Sequence, residues 1–169
     1  MQARASGMSV IISNTTPINY LVLIDHIAVL PQLYAHVIIP QAVLGELQDE
    51  GTPATVREWV AAYPAWLEVQ TVAVPLDASL AWLDAGEREA IRLAAALAAD
   101  ALIIDEPAGR KAAQRQGIRV IGTLRVLYDA AEAGLCDLAQ AYERLQHTTF
   151  RVHPDLYRAF LDMHSQRRE

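Results

Sequence analysis

The stretch Leu102-Ile103-Ile104-Asp105-Glu106 joins a short apolar run to two adjacent acidic residues. An apolar run of this length is typical of a strand that is buried on both faces of a sheet. Acids at the carboxyl end of such a strand lie at the mouth of an α/β sheet, where these folds bind their ligands. The stretch therefore predicts a parallel sheet and marks the edge at which a functional site is expected.

Strand-like and helix-like segments alternate along the rest of the chain. Five segments have the apolar or β-branched character of strands: Val10–Ile12, Val37–Ile39, Leu67–Val74, Ala101–Asp105 and Arg119–Gly122. The third alternates only loosely, which favours a position near a sheet edge. Because helices connect parallel strands by crossing a face of the sheet, the pattern predicts a three-layer α/β/α domain with a central parallel sheet of four to five strands.

Length and composition indicate a single folded domain. The chain has 169 residues, of which 53% are hydrophobic, and this is enough for a substantial core. We expect the domain to span residues 8–169, with residues 1–7 as a frayed tail and residues 137–169 as a helical extension packed on the domain. Charged residues interrupt every apolar run before it could span a bilayer, so we predict no membrane partner.

Charge and cysteine content restrict the partners and the compartment. The formal net charge is −6 at pH 7, which excludes a bulk polyanion binder. Any nucleic-acid role therefore needs a local basic face or a bound metal. Cys136 is the single cysteine, so no internal disulfide can form and a cytoplasmic location is expected.

Oxygen-bearing side chains follow or flank the predicted strands at comparable points. Asn14 follows the first strand, and Glu46 lies on the helix after the second. Glu87 begins the helix that precedes the fourth strand, and that strand ends in Asp105 and Glu106. In a parallel sheet, strand ends and helix N-termini meet at one rim. We therefore expect these five side chains to converge.

Convergence of several carboxylates favours a bound cation. Two carboxylates ~4 Å apart repel each other by roughly 4 kcal/mol at an effective dielectric constant of ~20. Oxygen donors suit hard divalent ions, so Mg²⁺ or Mn²⁺ is the predicted cofactor. Such an ion positions a phosphodiester, lowers the pKa of an attacking water and stabilises the leaving oxyanion. The predicted chemistry is phosphodiester hydrolysis.

Each acid also has an ordinary structural interpretation. Glu87 follows Gly86 at a helix N-terminus, a position that favours negative charge without any metal. Glu46 can be a solvated helix residue. Asp105 can cap the following turn, and Glu106 can simply be exposed. The functional hypothesis therefore depends on the joint placement of these residues.

The densest basic region begins just after the two adjacent acids. Arg110, Lys111 and Arg115 lie in one predicted helix, and the last two share a face because they are four residues apart. Such a strip can bind phosphates beside a metal site, or it can be a solvated helix face. Thr16 is a further candidate contact to metal or phosphate, although it can equally cap the first helix.

Five segments, in order and at consistent spacing, carry a resemblance to a known family. They are Ile11–Ile18, Val37–Leu47, Asp84–Ala94, Leu102–Arg110 and Gly117–Leu124. The chain resembles the PIN-domain superfamily and, more narrowly, a VapC-like branch of PIN-type ribonuclease toxins. The match covers most of residues 10–134.

The resemblance implies a three-layer α/β/α fold that carries an Mg²⁺- or Mn²⁺-dependent endoribonuclease site. It also implies a homodimer and inhibition by a small cognate antitoxin protein. By position, Glu46, Glu87 and Asp105 look like the second, third and fourth acids of the PIN site, with Glu106 as an additional ligand. The residues expected to contact the RNA substrate are Arg110, Lys111, Arg115 and Thr16.

The chain departs from the family pattern after the first strand, where Asn14 stands in place of the usual Asp. An amide oxygen still ligates a hard cation, but it adds no charge and lowers the affinity. One hypothesis is an endoribonuclease in which Asn14 helps three acids to hold the metal. Another is a weakened PIN-like module that binds RNA or a protein partner without cleavage. A receiver- or phosphatase-like domain is a third, but it needs an acid after the first strand.

Overall fold

The computed structural model describes residues 9–73 and 78–168 of the chain. Its centre is a sheet with the strand order β3-β2-β1-β4-β5, in which neighbouring strands are parallel. The strands are β1 Ile11–Ser13, β2 Val37–Pro40, β3 Leu67–Gln70, β4 Ala101–Ile103 and β5 Val120–Ile121. The predicted parallel sheet is confirmed, and the third strand lies at its edge.

Helices cover both faces of the sheet and complete the predicted three-layer α/β/α fold. They are α1 Thr15–Leu23, α2 Val29–Tyr34, α3 Gln41–Leu47, α4 Ala54–Ala61, α5 Ala85–Ala96, α6 Pro107–Arg115, α7 Thr123–Glu132, α8 Leu138–Gln146 and α9 Pro154–Arg167. A single 3₁₀ turn at Ala78–Leu80 precedes α5. Crossover helices of this kind are what parallel strands require.

Two apolar cores, one on each face of the sheet, hold the helices in place. In β1, Ile11 belongs to the larger core and Ile12 to the smaller one. In β4, Ile103 and Leu102 divide in the same way, because successive side chains of a strand point to opposite faces. Burying a side chain of this size contributes roughly 1.5–3 kcal/mol, so both layers are anchored by the central strands.

The fourth strand is shorter than the sequence predicted. It ends at Ile103 rather than at Asp105, although the Ile104 amide still donates to the Ile121 carbonyl at 2.8 Å. The chain leaves the sheet at this point, and Thr123 at the start of α7 holds the Asp105 carboxylate. Because Asp105 and Glu106 lie beyond the end of the strand, the alternation of side chains between its two faces does not predict where their side chains point.

Two predictions fall partly outside the described residues. They concern the end of the third strand at Val74 and the frayed tail at residues 1–7. Within the described residues, β3 ends at Gln70. No helix in residues 9–73 and 78–168 combines the length and the apolar character needed to cross a bilayer.

The last two helices pack against α7. The hydroxyl of Tyr142 on α8 donates to the carbonyl of Leu124 on α7 at 2.8 Å. Tyr157 on α9 meets the Tyr142 ring edge to face, with centroids 5.2 Å apart. Phe160 on α9 packs on Tyr128 of α7 with centroids 5.5 Å apart. The segment between α8 and α9 thereby lies beside the carboxyl edge of the sheet.

Candidate active site

The strand order produces a crevice at the carboxyl edge of the sheet, next to β1. From β1 the chain builds outward through β2 and β3, and it then returns to add β4 and β5 on the other side. Ligands of open α/β sheets bind where the strand order reverses in this way. Asn14 follows β1 and Asp105 follows β4, and the Asn14 amide donates to the Ile103 carbonyl at 2.9 Å. The ends of the first and fourth strands therefore lie together.

Asn14 provides an unused oxygen at the centre of this edge. Its side chain is 3% exposed, and no described residue hydrogen-bonds to its Oδ1. Although Asn14 precedes α1, its side chain makes no capping hydrogen bond. Leaving a buried acceptor without a partner costs about 1–3 kcal/mol. The oxygen is therefore available to a ligand.

Glu46 reaches the same edge from α3. Its carboxylate accepts hydrogen bonds from the Thr15 hydroxyl and from the Gly86 amide, the latter at 3.1 Å. Burial raises the pKa of Glu46 and the nearby Asp84 carboxylate adds to the rise, while the two hydrogen bonds oppose it. A Cβ atom at Gly86 would lie 2.8 Å from the Glu46 carboxyl carbon. Only glycine permits so close an approach.

Glu87 lies in the first turn of α5 and is 8% exposed. Asp84 caps the helix, because its Oδ1 accepts from the Glu87 amide at 2.8 Å. Burial raises the pKa of Glu87 to about 8, together with a hydrogen bond to Asp84 and the charges of Asp84, Glu106 and Glu46. Negative charges are thus crowded around a buried carboxyl, which favours binding of a proton or a cation.

Glu106 is exposed and joins the same group of acids from the end of β4. Its Oε1 accepts a hydrogen bond from the Thr16 hydroxyl at 3.2 Å. Its charge contributes to the raised pKa of both Glu87 and Asp105. Glu106 therefore faces the crevice, and Thr16 supports it there.

Asp105 is held in a different way. Its Oδ1 accepts from the Thr123 amide at 2.8 Å, and its Oδ2 accepts from the Thr123 hydroxyl at 2.6 Å. Burial raises the pKa of Asp105, and the bonds to Thr123 and the charge of Arg110 oppose the rise. The carboxylate thus links the end of β4 to α7. The carboxylates that raise the pKa of Glu87 are those of Asp84, Glu106 and Glu46 instead.

We call Asn14, Glu46, Glu87 and Glu106 the acidic rim. Every donor in it is an oxygen, which suits Mg²⁺ or Mn²⁺. In residues 9–73 and 78–168, no three Asp, Glu, His or Cys side chains form a ready metal cage. Mg²⁺ does not need one, because it keeps several waters and is usually held by one or two carboxylates. The partnerless Asn14 oxygen and the crowded Glu87 carboxyl therefore fit such an ion.

A groove with a volume of 1060 Å³ runs from the acidic rim past α6 and β5 to the segment after α8. We call it the basic groove because five cationic side chains line it: Arg110, Lys111, Arg119, Arg125 and Arg151. Thr16 lies at its entrance beside Glu106. Of the residues predicted to contact RNA, Arg115 is the one that does not line this groove.

The sequence interpretation did not identify Asp84, Arg125 or Arg151. Asp84 stands three residues before Glu87, and this spacing is the capping-box signal of a helix start. It could therefore have been found. Arg125 and Arg151 carry no comparable signal, because they come together only through the packing of the last three helices.

Comparison with known proteins assigns a family. The family model described as DUF3368, a PIN domain, matches residues 10–166. No curated protein matches the chain. Among solved structures, the chain is similar to a PilT N-terminus domain protein from the hyperthermophilic archaeon Sulfolobus solfataricus P2. The identity is 17% and the TM-score 0.49, over 86% of this chain and 100% of that one. Because the family model spans nearly the whole chain, the protein belongs to the PIN-domain family.

Proposed function

We propose that the protein is a divalent-metal-dependent endoribonuclease that hydrolyses RNA phosphodiester bonds. Membership of the PIN-domain family supports nuclease chemistry, since PIN domains are generally nucleases. One observation carries the proposal for this chain. The buried carboxyl of Glu87, with a pKa raised to about 8, lies at the same sheet edge as the partnerless oxygen of Asn14.

The acidic rim and its supports have distinct roles in this mechanism. Glu46, Glu87 and Glu106 would hold Mg²⁺ or Mn²⁺ together with Asn14 Oδ1, and Asp105 is a further proposed ligand. When bound, the ion would supply activation of a water and stabilisation of the leaving oxyanion. In its absence, burial and the surrounding negative charge favour the protonated form of the Glu87 carboxyl, whose pKa they raise to about 8.

Neighbouring residues orient these donors. The Thr15 hydroxyl and the Gly86 amide fix the Glu46 carboxylate. The Thr16 hydroxyl supports Glu106 at 3.2 Å. Metal-binding oxygens that are already held in position need little rearrangement when the phosphodiester binds. This preorganisation lowers the barrier to the reaction.

Cleavage of RNA with matched variants tests the proposal. We expect the protein with Mn²⁺ to cleave a single-stranded RNA, EDTA to stop the reaction, and Glu87→Gln to slow it about 100-fold. Glu143→Gln removes the same charge from an exposed position on α8, a helix that contributes no residue to the rim, and should leave the rate unchanged. Cleavage by Glu87→Gln at the rate of the unaltered protein would sink the assignment.

We extend the proposal to a biological role as the toxin of a VapC-like toxin–antitoxin pair. The sequence resemblance supports this role, with a small cognate antitoxin, a homodimeric toxin and action in the cytoplasm. Expression of the protein alone should arrest bacterial growth, and the Glu87→Gln variant should not. Coexpression with a small neighbouring reading frame should restore growth. Unrestricted growth with the unaltered protein would contradict the toxin role.

A second candidate function is a PIN-like module that binds RNA or a protein partner without cutting. Asn14 favours it, because a neutral amide at the centre of the rim attracts a cation less than a carboxylate does. The variant Asn14→Asp distinguishes the two functions. A large gain in Mn²⁺ affinity and in cleavage would indicate that the natural protein is weakened. An unchanged rate would show that the amide oxygen is an adequate ligand.

A further inference from the structure

The basic groove concentrates positive charge in an otherwise acidic protein. The chain carries a formal net charge of −6, yet five Lys and Arg side chains line the groove. Asp105 and Glu106 are the acidic residues among its described lining residues, and both lie at the end that meets the acidic rim. Such segregation creates a local positive potential that attracts a polyanion despite the overall charge.

The outer wall of the groove comes from the segment between α8 and α9. The Tyr20 hydroxyl on α1 pairs with the Thr149 hydroxyl at 2.8 Å, and the Tyr20 ring meets Phe150 edge to face with centroids 5.1 Å apart. Phe150 is buried. These contacts anchor the segment on α1, and Arg151 lines the same groove as the cations of α6.

The groove cations are available to a ligand in two different ways. The side chains of Lys111 and Arg119 are exposed and make no hydrogen bond or ion pair with any described residue. Arg151 donates from Nη1 to the carbonyls of Thr148 and Phe150, both at 2.9 Å. These two bonds fix the position of the guanidinium group through Nη1. A guanidinium group binds phosphate well because its paired N–H donors match two phosphate oxygens.

We propose that the basic groove holds a single-stranded RNA, with the segment that carries Arg151 as its outer wall. The inference rests on the proposed function for the identity of the polyanion, and it assigns the C-terminal segment a binding role. The aromatic rings of Tyr20 and Phe160 in the lining offer surfaces on which unpaired bases can stack, and Leu156 adds an exposed apolar surface. Stacking of this kind requires bases that are not paired in a duplex. The strand enters at the rim, where its phosphodiester would be cut.

Binding measured without metal tests the groove separately from catalysis. Fluorescence anisotropy of a labelled single-stranded RNA of about 12 nucleotides is followed in EDTA with the full-length protein. We expect the double variant R119Q/R151Q to bind about tenfold more weakly than the unaltered protein. The slope of log affinity against log salt should fall by ~0.7 for each phosphate contact removed.

The matched control removes the same charge from positions outside the groove. R158Q/R168Q changes two exposed arginines of the α9 region that lie outside the groove lining, and it should bind RNA within about twofold of the unaltered protein. The single variant Arg119→Gln keeps the hydrogen bonds of Arg151 to the backbone, so a loss of RNA binding in it cannot come from breaking those bonds. It should account for about half of the change in salt slope. Equal losses in the control and the groove variant would overturn the proposal.

The outcomes separate the groove from the proposed reaction. RNA binding that depends on Arg119 and Arg151, in a protein that never cleaves, would support the groove and contradict the ribonuclease. Cleavage that is unaffected by the groove variants would contradict the groove alone. Tighter binding of an RNA duplex, or of a polyglutamate peptide, than of the single strand would overturn the assigned occupant.

Discussion

The acidic rim and the basic groove lie side by side, yet they are built in opposite ways. The rim takes its donors from strand ends and helix starts, and two of its members, Asn14 and Glu87, are buried. The groove takes its cations from separate elements, and Lys111, Arg119 and Arg151 are exposed. Like charges crowded in a dry site raise the free energy of the folded protein, whereas hydrated charges barely do. Changes at the buried rim residues Asn14 and Glu87 should therefore alter stability, and changes in the groove only affinity.

The largest expected effect of the rim is a pH dependence of stability in the metal-free protein. The pKa of Glu87 is about 8 in the folded protein against a reference value of 4.5. Between pH 4.5 and about 8, Glu87 therefore binds a larger fraction of a proton in the folded protein than in the unfolded chain. The Glu87 contribution to the free energy of unfolding therefore falls as pH rises from 4.5 to about 8, by ~1.4 kcal/mol for each pKa unit at most.

Urea denaturation at several pH values measures this dependence. Glu87→Gln removes the titrating group and should flatten the decline, while the exposed Glu143→Gln should leave it in place. Mn²⁺ should raise the melting temperature more at the upper end of the pH window than at the lower end, because ion binding relieves the same repulsion. A decline of equal size in Glu87→Gln would contradict the crowding of charge in the rim.

The next largest effect separates the two adjacent acids after β4. Asp105→Ala leaves the Thr123 amide and hydroxyl without their carboxylate partner and should lower the free energy of unfolding by roughly 1.5–3 kcal/mol. Glu106→Gln changes an exposed side chain and should stay within about 0.5 kcal/mol. Calorimetry with Mn²⁺ should give the reverse ranking, with Glu106→Gln about tenfold weaker. If the two variants lost the same stability and the same Mn²⁺ affinity, the distinction between a structural Asp105 and a metal-binding Glu106 would be contradicted.

A smaller effect probes the close packing behind the rim. In Gly86→Ala, the added Cβ atom would lie 2.8 Å from the Glu46 carboxyl carbon. The Glu46 carboxylate is the far end of a flexible side chain, so it should give way to the new methyl group and lose its hydrogen bond to the Gly86 amide. We expect weaker Mn²⁺ binding and a loss of less than about 1 kcal/mol in stability. Gly45 on α3 is the matched control, because nothing lies within 4 Å of its added Cβ atom. Gly45→Ala should stabilise the protein by about 0.5–1 kcal/mol and leave Mn²⁺ affinity unchanged, and an unchanged affinity in Gly86→Ala would contradict the packing.

The smallest effect concerns the two cations of α6 that share a helix face. Lys111 lines the basic groove and Arg115 does not, although the sequence predicts both as RNA contacts. Lys111→Gln should weaken RNA binding about threefold, since one exposed contact is worth less than ~1 kcal/mol. Arg115→Gln should leave anisotropy titrations within error. An equal loss in both would extend the binding surface along α6.

Local patterns in the sequence predict much of the fold and of the rim. The apolar run Leu102–Ile104 and its counterparts indicated parallel strands, because burial on both faces requires continuous apolar side chains. Asn14 and Glu87 were placed at the sheet edge because strand ends and helix starts are local features. In any parallel sheet the strand ends and the starts of the following helices lie at the carboxyl edge. The location of the rim can therefore be predicted from the order of strands and helices alone.

The different surroundings of Asp105 and Glu106 are visible only in the tertiary structure. The two residues are adjacent and chemically alike, and Asp105 was the stronger candidate from the sequence. Pairing of β5 with β4 brings Thr123, which follows β5, to both oxygens of Asp105, while Glu106 remains near Glu87. Whether Asp105 also ligates the ion stays a prediction.

The basic groove likewise exists only in the folded chain. Tyr20 and Thr149 meet although 129 residues separate them, and this contact sets the wall that carries Arg151. Periodicity determines which face a side chain occupies within a strand or a helix. Beyond the end of an element, its direction is set by the partners that long-range packing brings to it, and no local pattern records them.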